Sequence, residues 1–261
     1  MKDRTQVFLM GSITLLTAVL IISIFAGRLN METKASEEPV QVEEVQVEEV
    51  QPEMVLKEDV FITSDSSYFD DALFIGDSRT VGLCEYGTLK NADYFASTGM
   101  SVYKLWNEKL SVEDVGKVSL HELLNIKRYG KIYIMLGINE LGYKIEKTIA
   151  ENEEMIRKIK GQQPEATIYL CANLHVTKTR SDRDELINNK MIDRFNRKLE
   201  TLTDNKGIYY IDVNEEFDDE NGNLRAECTS DVVHGYAKYY QDWSEWLCKN
   251  TVQRGNEKHD N

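Results

Sequence analysis

The sequence lacks several features that would point to common classes of protein. Its 261 residues include four cysteines without any C-x-x-C spacing, so a zinc or redox motif is not indicated. Lys and Arg total 31 against 45 Asp and Glu, a formal charge of -14. Duplex nucleic acid is bound through clustered basic residues, and no basic stripe is present in the sequence. Nucleic acid is therefore not expected as a partner.

One long apolar run lies near the N-terminus. Residues 7–26 read VFLMGSITLLTAVLIISIFA, and a helix needs ~20 such residues to cross a bilayer. Lys2 and Arg4 precede the run and acidic residues dominate after it, so the positive-inside rule places residues 1–6 in the cytoplasm. A cleaved signal peptide is the alternative, although its apolar core usually spans about 7–15 residues. We expect a signal-anchor helix at 7–27 in the cell membrane, with the remaining chain outside the cell.

Residues 28–66 are acidic and low in complexity. VQVEE occurs at 40–44 and again at 45–49. A five-residue repeat matches neither a helix nor a coiled coil, and like charges extend a chain by mutual repulsion. The alternating valines would also suit a β-strand, but the many glutamates favour a solvated stalk. We expect a disordered tether at 28–66 that holds the next domain away from the membrane.

The cysteines leave two interpretations open. An even number in an exported domain permits disulfides, and the sequence does not indicate which residues would pair. Cys171 lies in a strand-like apolar run, where a small buried side chain is the simpler interpretation. The four are Cys84, Cys171, Cys228 and Cys248.

A globular domain is predicted at 67–250, followed by a polar tail at 251–261. Amphipathic segments at 144–160, 187–202 and 235–249 alternate with short apolar runs typical of strands buried on both faces. This alternation predicts an α/β fold with parallel strands and helices on both faces of the sheet. The predicted strands are ALFIG at 72–76, DYFAS at 93–97, KIYIMLG at 131–137, TIYLCAN at 167–173 and IYYIDV at 208–213.

Polar residues follow the predicted strands, and ligands of open parallel sheets bind beyond the carboxyl ends of the strands. The sequence therefore predicts a site that combines a serine, a histidine, an aspartate, a glycine and an asparagine at one edge. The residues that follow the strands, from which this site would be drawn, are in chain order Asp77 and Ser78, then Gly99, then Asn139 and Glu140, then His175, and finally Asp231 and His234.

Four of these segments together resemble the sequence blocks of the SGNH (GDSL-type) hydrolase family over residues 73–236. The resemblance implies a flavodoxin-like three-layer sandwich with a five-stranded, mainly parallel sheet. Two departures bear on substrate: Arg79 replaces the leucine of G-D-S-L, and Glu140 replaces the aspartate of G-x-N-D. The matching segments are FIGDSRT at 74–80, Gly99 in STGMS, GINE at 137–140 and DVVH at 231–234.

The resemblance also implies roles for individual residues. Ser78 would be the nucleophile and His234 its base, while Asp231 would orient the imidazole. The backbone N–H groups of Ser78 and Gly99 and the side-chain amide of Asn139 would form the oxyanion hole. This chemistry requires neither a metal ion nor an organic cofactor.

Structural interpretations remain open for the same residues. Ser78 would also suit a helix cap, and Thr229, Ser230 or Asp231 would suit the cap of the closing helix. Gly99 and Asn139 are also common turn formers.

Three further residues are possible substrate contacts. Arg79 would pair with a substrate carboxylate, although a salt bridge to a neighbouring acid is the commoner role. Glu140 adjoins Asn139, where it would also serve to hold that loop, and His175 follows the fourth strand. For His175, a place at the surface or behind the site is favoured over substrate contact.

The expected function is hydrolysis of small acyl esters, principally O-acetyl groups on cell-wall or other polysaccharides, by a membrane-anchored extracellular serine esterase. An O-acetyltransferase would use the same site but would need a separate partner to deliver the acyl donor. A tethered carbohydrate-binding domain without catalysis is the alternative from another class.

Overall fold

Strands and helices alternate along the computed structural model, which describes residues 58–229 and 231–255. The predicted anchor and all of the predicted tether before residue 58 lie outside these residues. The strands are β1 (Val60–Ile62), β2 (Ala72–Gly76), β3 (Asp93–Ala96), β4 (Lys109–Val112), β5 (Gly116–Ser119), β6 (Lys131–Met135), β7 (Thr167–Cys171), β8 (Ile208–Ile211) and β9 (Thr251–Gln253). The α-helices are α1 (Ser78–Tyr86), α2 (Leu120–Ile126), α3 (Ile145–Gln162), α4 (Lys178–Ser181), α5 (Asn189–Glu200), α6 (Asn214–Phe217) and α7 (Ala237–Lys249), with 3-10 turns at Ser66–Phe69, Ile138–Glu140 and Ala226–Cys228.

The central sheet has five strands in the order β3-β2-β6-β7-β8. Every neighbouring pair is parallel. This is the flavodoxin-like strand order, in which the chain reverses its direction of travel between the first and third strands of the sheet. All five predicted strands are present, so the predicted α/β fold is confirmed.

Alternate residues of each strand face different helical layers. Leu73 and Ile75 of β2 belong to a core that includes Leu123 of α2, Ile156 of α3 and Ile192 of α5. The opposite face of the sheet packs against α1 and α7. Its core includes Phe74, Leu83, Tyr133, Tyr169, Trp243 and Leu247.

Aromatic rings on this second face stack across neighbouring strands. Phe74 and Tyr133 are register partners with ring centroids 4.6 Å apart. Tyr133 and Tyr169 are also partners, at 4.3 Å. Cross-strand aromatic pairs stabilise a sheet beyond the burial of their area, so this row favours the observed register of β2, β6 and β7.

The folded domain is longer than predicted at both ends. β1 pairs antiparallel with β9, and the Ser64 N–H donates to the Cys248 carbonyl. The tether prediction is therefore wrong for residues 60–66, and the polar tail does not begin at 251. A three-residue strand is too short to be recognised by periodicity, which explains the error.

The other elements add three observations. The hairpin of β4 and β5, which was not predicted, precedes α2. All four cysteines are free thiols, and Cys171 is buried. Within residues 58–229 and 231–255, no helix has both the length and the apolar character needed to cross a bilayer.

Candidate active site

Ser78 lies at the junction of β2 and α1. The N-cap of α1 is Asp77, whose Oδ1 accepts a hydrogen bond from the Arg79 N–H at 2.9 Å. Because Asp77 caps the helix, the interpretation of Ser78 as the cap is wrong, and its hydroxyl is available for another contact. Ser78 Oγ lies 2.9 Å from His234 Nε2.

Close packing fixes this junction. A Cβ at Gly76 would lie 1.9 Å from Thr80 Oγ1, so only glycine allows the end of β2 to approach the first turn of α1 this closely. Asp77 is 0% exposed, whereas Ser78 is only partly buried. The turn therefore presents the serine at the carboxyl edge of the sheet while its neighbours are buried.

His234 and Asp231 lie on a short turn before α7. His234 Nδ1 is 2.6 Å from Asp231 Oδ2, and Asp231 Oδ1 accepts the backbone N–H groups of Val233 at 3.0 Å and His234 at 2.7 Å. Burial raises the pKa of Asp231, but these hydrogen bonds outweigh it and lower the pKa to about 2. Asp231 is thus a carboxylate at neutral pH, and it holds both the turn and the imidazole.

The backbone of this turn is unusual. Val232 has a φ of 66°, a left-handed conformation that is costly for a β-branched residue. Thr229 and Gly235 close the turn as an isolated antiparallel bridge. The closing helix begins at Ala237 with Tyr236 as its N-cap and no side-chain cap bond, so the interpretation of residues 229–231 as its cap is wrong.

Ser78, His234 and Asp231 therefore form one hydrogen-bonded chain. When Nδ1 of His234 carries a proton and donates it to Asp231, Nε2 is left as an acceptor for the Ser78 hydroxyl proton. An acceptor of this kind activates a serine for attack on a carbonyl carbon. The arrangement has the order of contacts required for acyl transfer.

Three donors lie near the same edge of the sheet. Gly99 follows β3 with a φ of 76°, and Asn139 lies on the 3-10 turn after β6. Asn139 Nδ2 donates to the Met100 carbonyl at 2.8 Å, which uses one of its two amide hydrogens. Among the described residues, neither the Ser78 nor the Gly99 N–H has a hydrogen-bond acceptor. These groups are available to a developing oxyanion.

Glu140 connects the two loops that carry these donors. It is 1% exposed, and its Oε1 accepts the Val102 N–H at 2.7 Å. Substrate contact is wrong for Glu140, since its carboxyl is buried between the loops, and its position agrees with the other interpretation, that it holds the loop of Asn139. Burial raises its pKa to about 7, the charge of Asp77 adds to the shift, and the Val102 hydrogen bond opposes it.

Arg79 is also buried. Its side chain is 1% exposed, Nη1 donates to the Leu174 carbonyl at 2.8 Å, and Nε lies 3.8 Å from Asp77 Oδ1. The prediction of a substrate contact is wrong for Arg79, because a substrate cannot reach a guanidinium in this position. Arg79 instead fits the alternative role, a salt bridge to a neighbouring acid, which is Asp77.

His175 lies between two aspartates. Its Nδ1 is 2.6 Å from Asp218 Oδ2, and its Nε2 is 3.0 Å from Asp193 Oδ1. Burial lowers the pKa of His175, but the hydrogen bonds and charges of the two aspartates outweigh it and raise the pKa above its ordinary value. With both ring nitrogens occupied, His175 links α5 to the segment after α6, and the predicted substrate contact is wrong.

The roles of two supporting residues, both named from the sequence, were not predicted. The caps and turns of this site depend on Asp77 and on Thr229, whose Oγ1 is 3.3 Å from Asp231 Oδ1. Asp directly before a helical segment is an N-cap pattern, so the sequence contained evidence for the role of Asp77. No comparable pattern indicates Thr229.

An apolar cavity lies behind the His234 turn. It is partly open to solvent, and Val233 and Gly235, the two neighbours of His234, line it. The other lining residues are Leu174, Phe217, Leu224, Cys228, Tyr239, Tyr240 and Trp243. Across the described ranges, no cluster of three or more His, Cys, Asp or Glu side chains is arranged to hold a metal ion.

Comparison with known proteins agrees with this geometry. Residues 74–241 match the GDSL-like Lipase/Acylhydrolase family, while a search of curated proteins found no match. Among solved structures, a provisionally assigned platelet activating factor from Streptococcus pneumonia is 20% identical, with a TM-score of 0.54, over 70% of this chain and 88% of its own. A GDSL-like lipase from Bacteroides thetaiotaomicron is 16% identical, with a TM-score of 0.52, over 72% and 90%. At these identities the solved structures support the fold alone.

Proposed function

Because the chain belongs to the GDSL-like lipase/acylhydrolase family, we propose that it hydrolyses small acyl esters, principally O-acetyl groups on cell-wall or other polysaccharides. The family makes the protein an ester-hydrolysing enzyme. The catalytic residues, the polysaccharide substrate and the location outside the cell are proposed here in addition to the family.

The observation that carries the proposal is the hydrogen-bonded chain from Ser78 through His234 to Asp231. Its two contacts measure 2.9 Å and 2.6 Å. The serine follows the first strand of the sheet and the other two residues lie on the turn before the last helix, so the fold brings together parts distant in sequence. This arrangement supports the role of Ser78 as nucleophile, His234 as general base and Asp231 as its charge partner.

The proposed reaction has two steps. Ser78 Oγ attacks the ester carbonyl carbon while His234 Nε2 takes the hydroxyl proton, and the oxyanion accepts hydrogen bonds from Ser78, Gly99 and Asn139. Collapse of the intermediate breaks the ester C–O bond, and His234 returns the proton to the departing alcohol. Water then attacks the acyl-enzyme with His234 again as base, which releases the acid and restores Ser78.

The substrate and location rest on the order of segments in the sequence. An apolar run at 7–26 followed by an acidic spacer would hold the domain outside the membrane, next to envelope polymers. Protease treatment of intact cells would test this location: the domain should be lost and a short membrane fragment kept. A processed, soluble protein in the medium would contradict the anchor.

The decisive experiment measures acetate release by the full-length chain in mild detergent. The substrates are p-nitrophenyl acetate and an O-acetylated polysaccharide, and the variants are Ser78→Ala and, as the matched control, Ser111→Ala, an exposed serine on β4. Ser78→Ala should lower turnover far below a tenth of the parent rate, roughly 10³-fold or more. Its melting temperature should stay unchanged because Asp77 provides the helix cap. Turnover above a tenth of the parent rate would remove Ser78 from the mechanism.

A further inference from the structure

Two tyrosines, the exposed Tyr143 and the half-buried Tyr103, are in contact on the loops that carry the predicted oxyanion donors. Tyr103 follows Gly99 after β3, and Tyr143 follows Asn139 after β6. Their ring centroids are 4.9 Å apart with 35° between the planes. Tyr143 is 59% exposed, among the most exposed large apolar side chains of the described residues. A single exposed aromatic is common on protein surfaces, but an exposed ring that packs on a second, half-buried ring beside a predicted active site points to a ligand.

The pair is held in place by its neighbours. The hydroxyl groups of Tyr103 and Thr148 are 3.1 Å apart, so the first ring is tied to α3. The Tyr143 N–H donates to the Glu140 carbonyl at 2.9 Å, which connects the backbone of Tyr143 to the 3-10 turn of Asn139. A rigid aromatic surface loses little conformational entropy when a ligand binds.

Three exposed lysines lie within four sequence positions of Tyr103 or Tyr143. Lys104, Lys144 and Lys147 form no ion pair with any residue in the described part of the chain. Lys147 Nζ lies 5.6 Å from the centroid of the Tyr103 ring, and Lys104 Nζ lies 3.3 Å from the Gly99 carbonyl oxygen.

No acid near in sequence forms an ion pair with these lysines in the described part of the chain, including Glu108 and Glu151, each four positions after a lysine. Glu140 is buried, and Glu146 pairs with Arg194 at 3.3 Å. Three exposed lysines beside the predicted active site are therefore without an ion pair among the described residues, in a chain whose net charge is -14. Exposed cations attract anions, so this surface suits a negatively charged polymer, which the acidic remainder of the molecule repels.

We propose that Tyr103, Tyr143 and the three lysines form a subsite for an anionic polysaccharide. The exposed face of Tyr143 packs against the C–H face of a sugar ring, and the lysines pair with carboxylate or phosphate groups along the polymer. The inference rests on the proposed function for the place of the acetyl group, which would then reach Ser78 while the polymer lies across the two loops. It adds the charge of the substrate, which the family does not specify.

Binding can be measured without turnover by using the full-length Ser78→Ala chain in mild detergent. The probes are three O-acetylated polymers: neutral xylan, polygalacturonate with carboxylates and poly(glycerol phosphate) with phosphates. At low salt at least one anionic polymer should bind about tenfold more tightly than xylan, and ~0.5 M NaCl should remove the difference. The tighter of the two anionic polymers identifies the charged group. Equal binding of all three polymers, without salt dependence, would overturn the charge assignment.

Further substitutions in the Ser78→Ala chain test whether Tyr143 and Lys147 contribute to binding. Adding Tyr143→Ala should weaken binding of the anionic polymer about 3–10-fold, and adding Lys147→Gln should reduce the preference over xylan. The controls are Phe61→Ala, a 54% exposed aromatic on β1, and Lys158→Gln, whose lysine also lies over a ring but pairs with Glu154. Controls that weaken binding as much as the test variants would overturn the subsite.

The wild-type chain separates this inference from the proposed function. Hydrolysis of p-nitrophenyl acetate together with binding that does not depend on Tyr143 would keep the esterase and reject the subsite. Binding that depends on Tyr143 without any ester hydrolysis would keep the subsite and reject the proposed catalytic function.

Discussion

The two halves of the predicted catalytic centre are built differently. On the serine side, Asp77, Arg79 and Glu140 are all nearly inaccessible to solvent and connect strands and loops that are distant in sequence. On the histidine side, the side chains of His234 and Asp231 are 43% and 54% exposed, and the turn borders the apolar cavity.

This difference separates two ways of positioning a reactive group. The serine is placed by the fold, because a buried strand, a helix cap and the close approach at Gly76 leave its backbone no alternative. The histidine is placed by hydrogen bonds within a few residues, which Asp231 accepts from the backbone and the ring of the same turn. Changes on the histidine side should therefore affect rate with little effect on stability, whereas changes to the buried residues that support Ser78 should affect mainly stability.

The largest effect is expected for Asp231→Asn. Without the carboxylate, the imidazolium that forms during attack loses its charge partner, so kcat should fall ~10⁴-fold with little change in KM. Steady-state kinetics on one small ester would measure the effect on rate, and a melting curve would measure the effect on stability. A large fall in melting temperature would contradict the view that this turn contributes mainly to rate.

Asn139→Ala should have the next largest effect. It removes one donor to the oxyanion, so kcat should fall ~10²–10³-fold. It also removes the hydrogen bond to the Met100 carbonyl, which costs about 1 kcal/mol and should lower the melting temperature slightly. The matched control is Asn125→Ala, an exposed amide on α2, which should leave kcat unchanged. A rate close to that of the parent would remove Asn139 from the oxyanion hole.

Glu140→Gln should have the smallest effect on rate, less than ~tenfold, because the amide oxygen still accepts the Val102 N–H. Its effect on stability should depend on pH. The pKa of Glu140 is raised from 4.5 to about 7, so the folded protein binds an extra proton between these values and loses stability as pH rises through them.

Melting curves from pH 4.5 to 7.5 would measure this difference. The stability of the variant relative to the parent should increase with pH across that range, while Glu146→Gln, an exposed control, should show no such trend. If Glu140→Gln reduces kcat as much as Asp231→Asn, the charge partner of His234 has been misassigned.

The sequence predicted the parts of the fold that depend on local pattern. Apolar runs and amphipathic periodicity predicted the five central strands and the helices α3, α5 and α7. The order of the motifs predicted that Ser78, His234 and Asp231 lie together at one edge of the sheet, and the structure places them in contact there. Burial is set by the packing of distant segments, which periodicity does not report. For Arg79, Glu140 and His175 the sequence therefore left substrate contact open beside a supporting role, and the structure, in which other elements cover all three, shows the supporting role.

The pairing of β1 with β9 sets the order in which the chain can assemble. The Thr251 hydroxyl donates to the Ile62 carbonyl across 189 positions of sequence, and each strand has only three residues. Closing so long a loop costs entropy that a short strand pair cannot recover until the sheet between its ends has formed. We therefore expect this pair to form last during folding and to open first, and its amide protons should exchange with solvent before those of β2, β6 and β7.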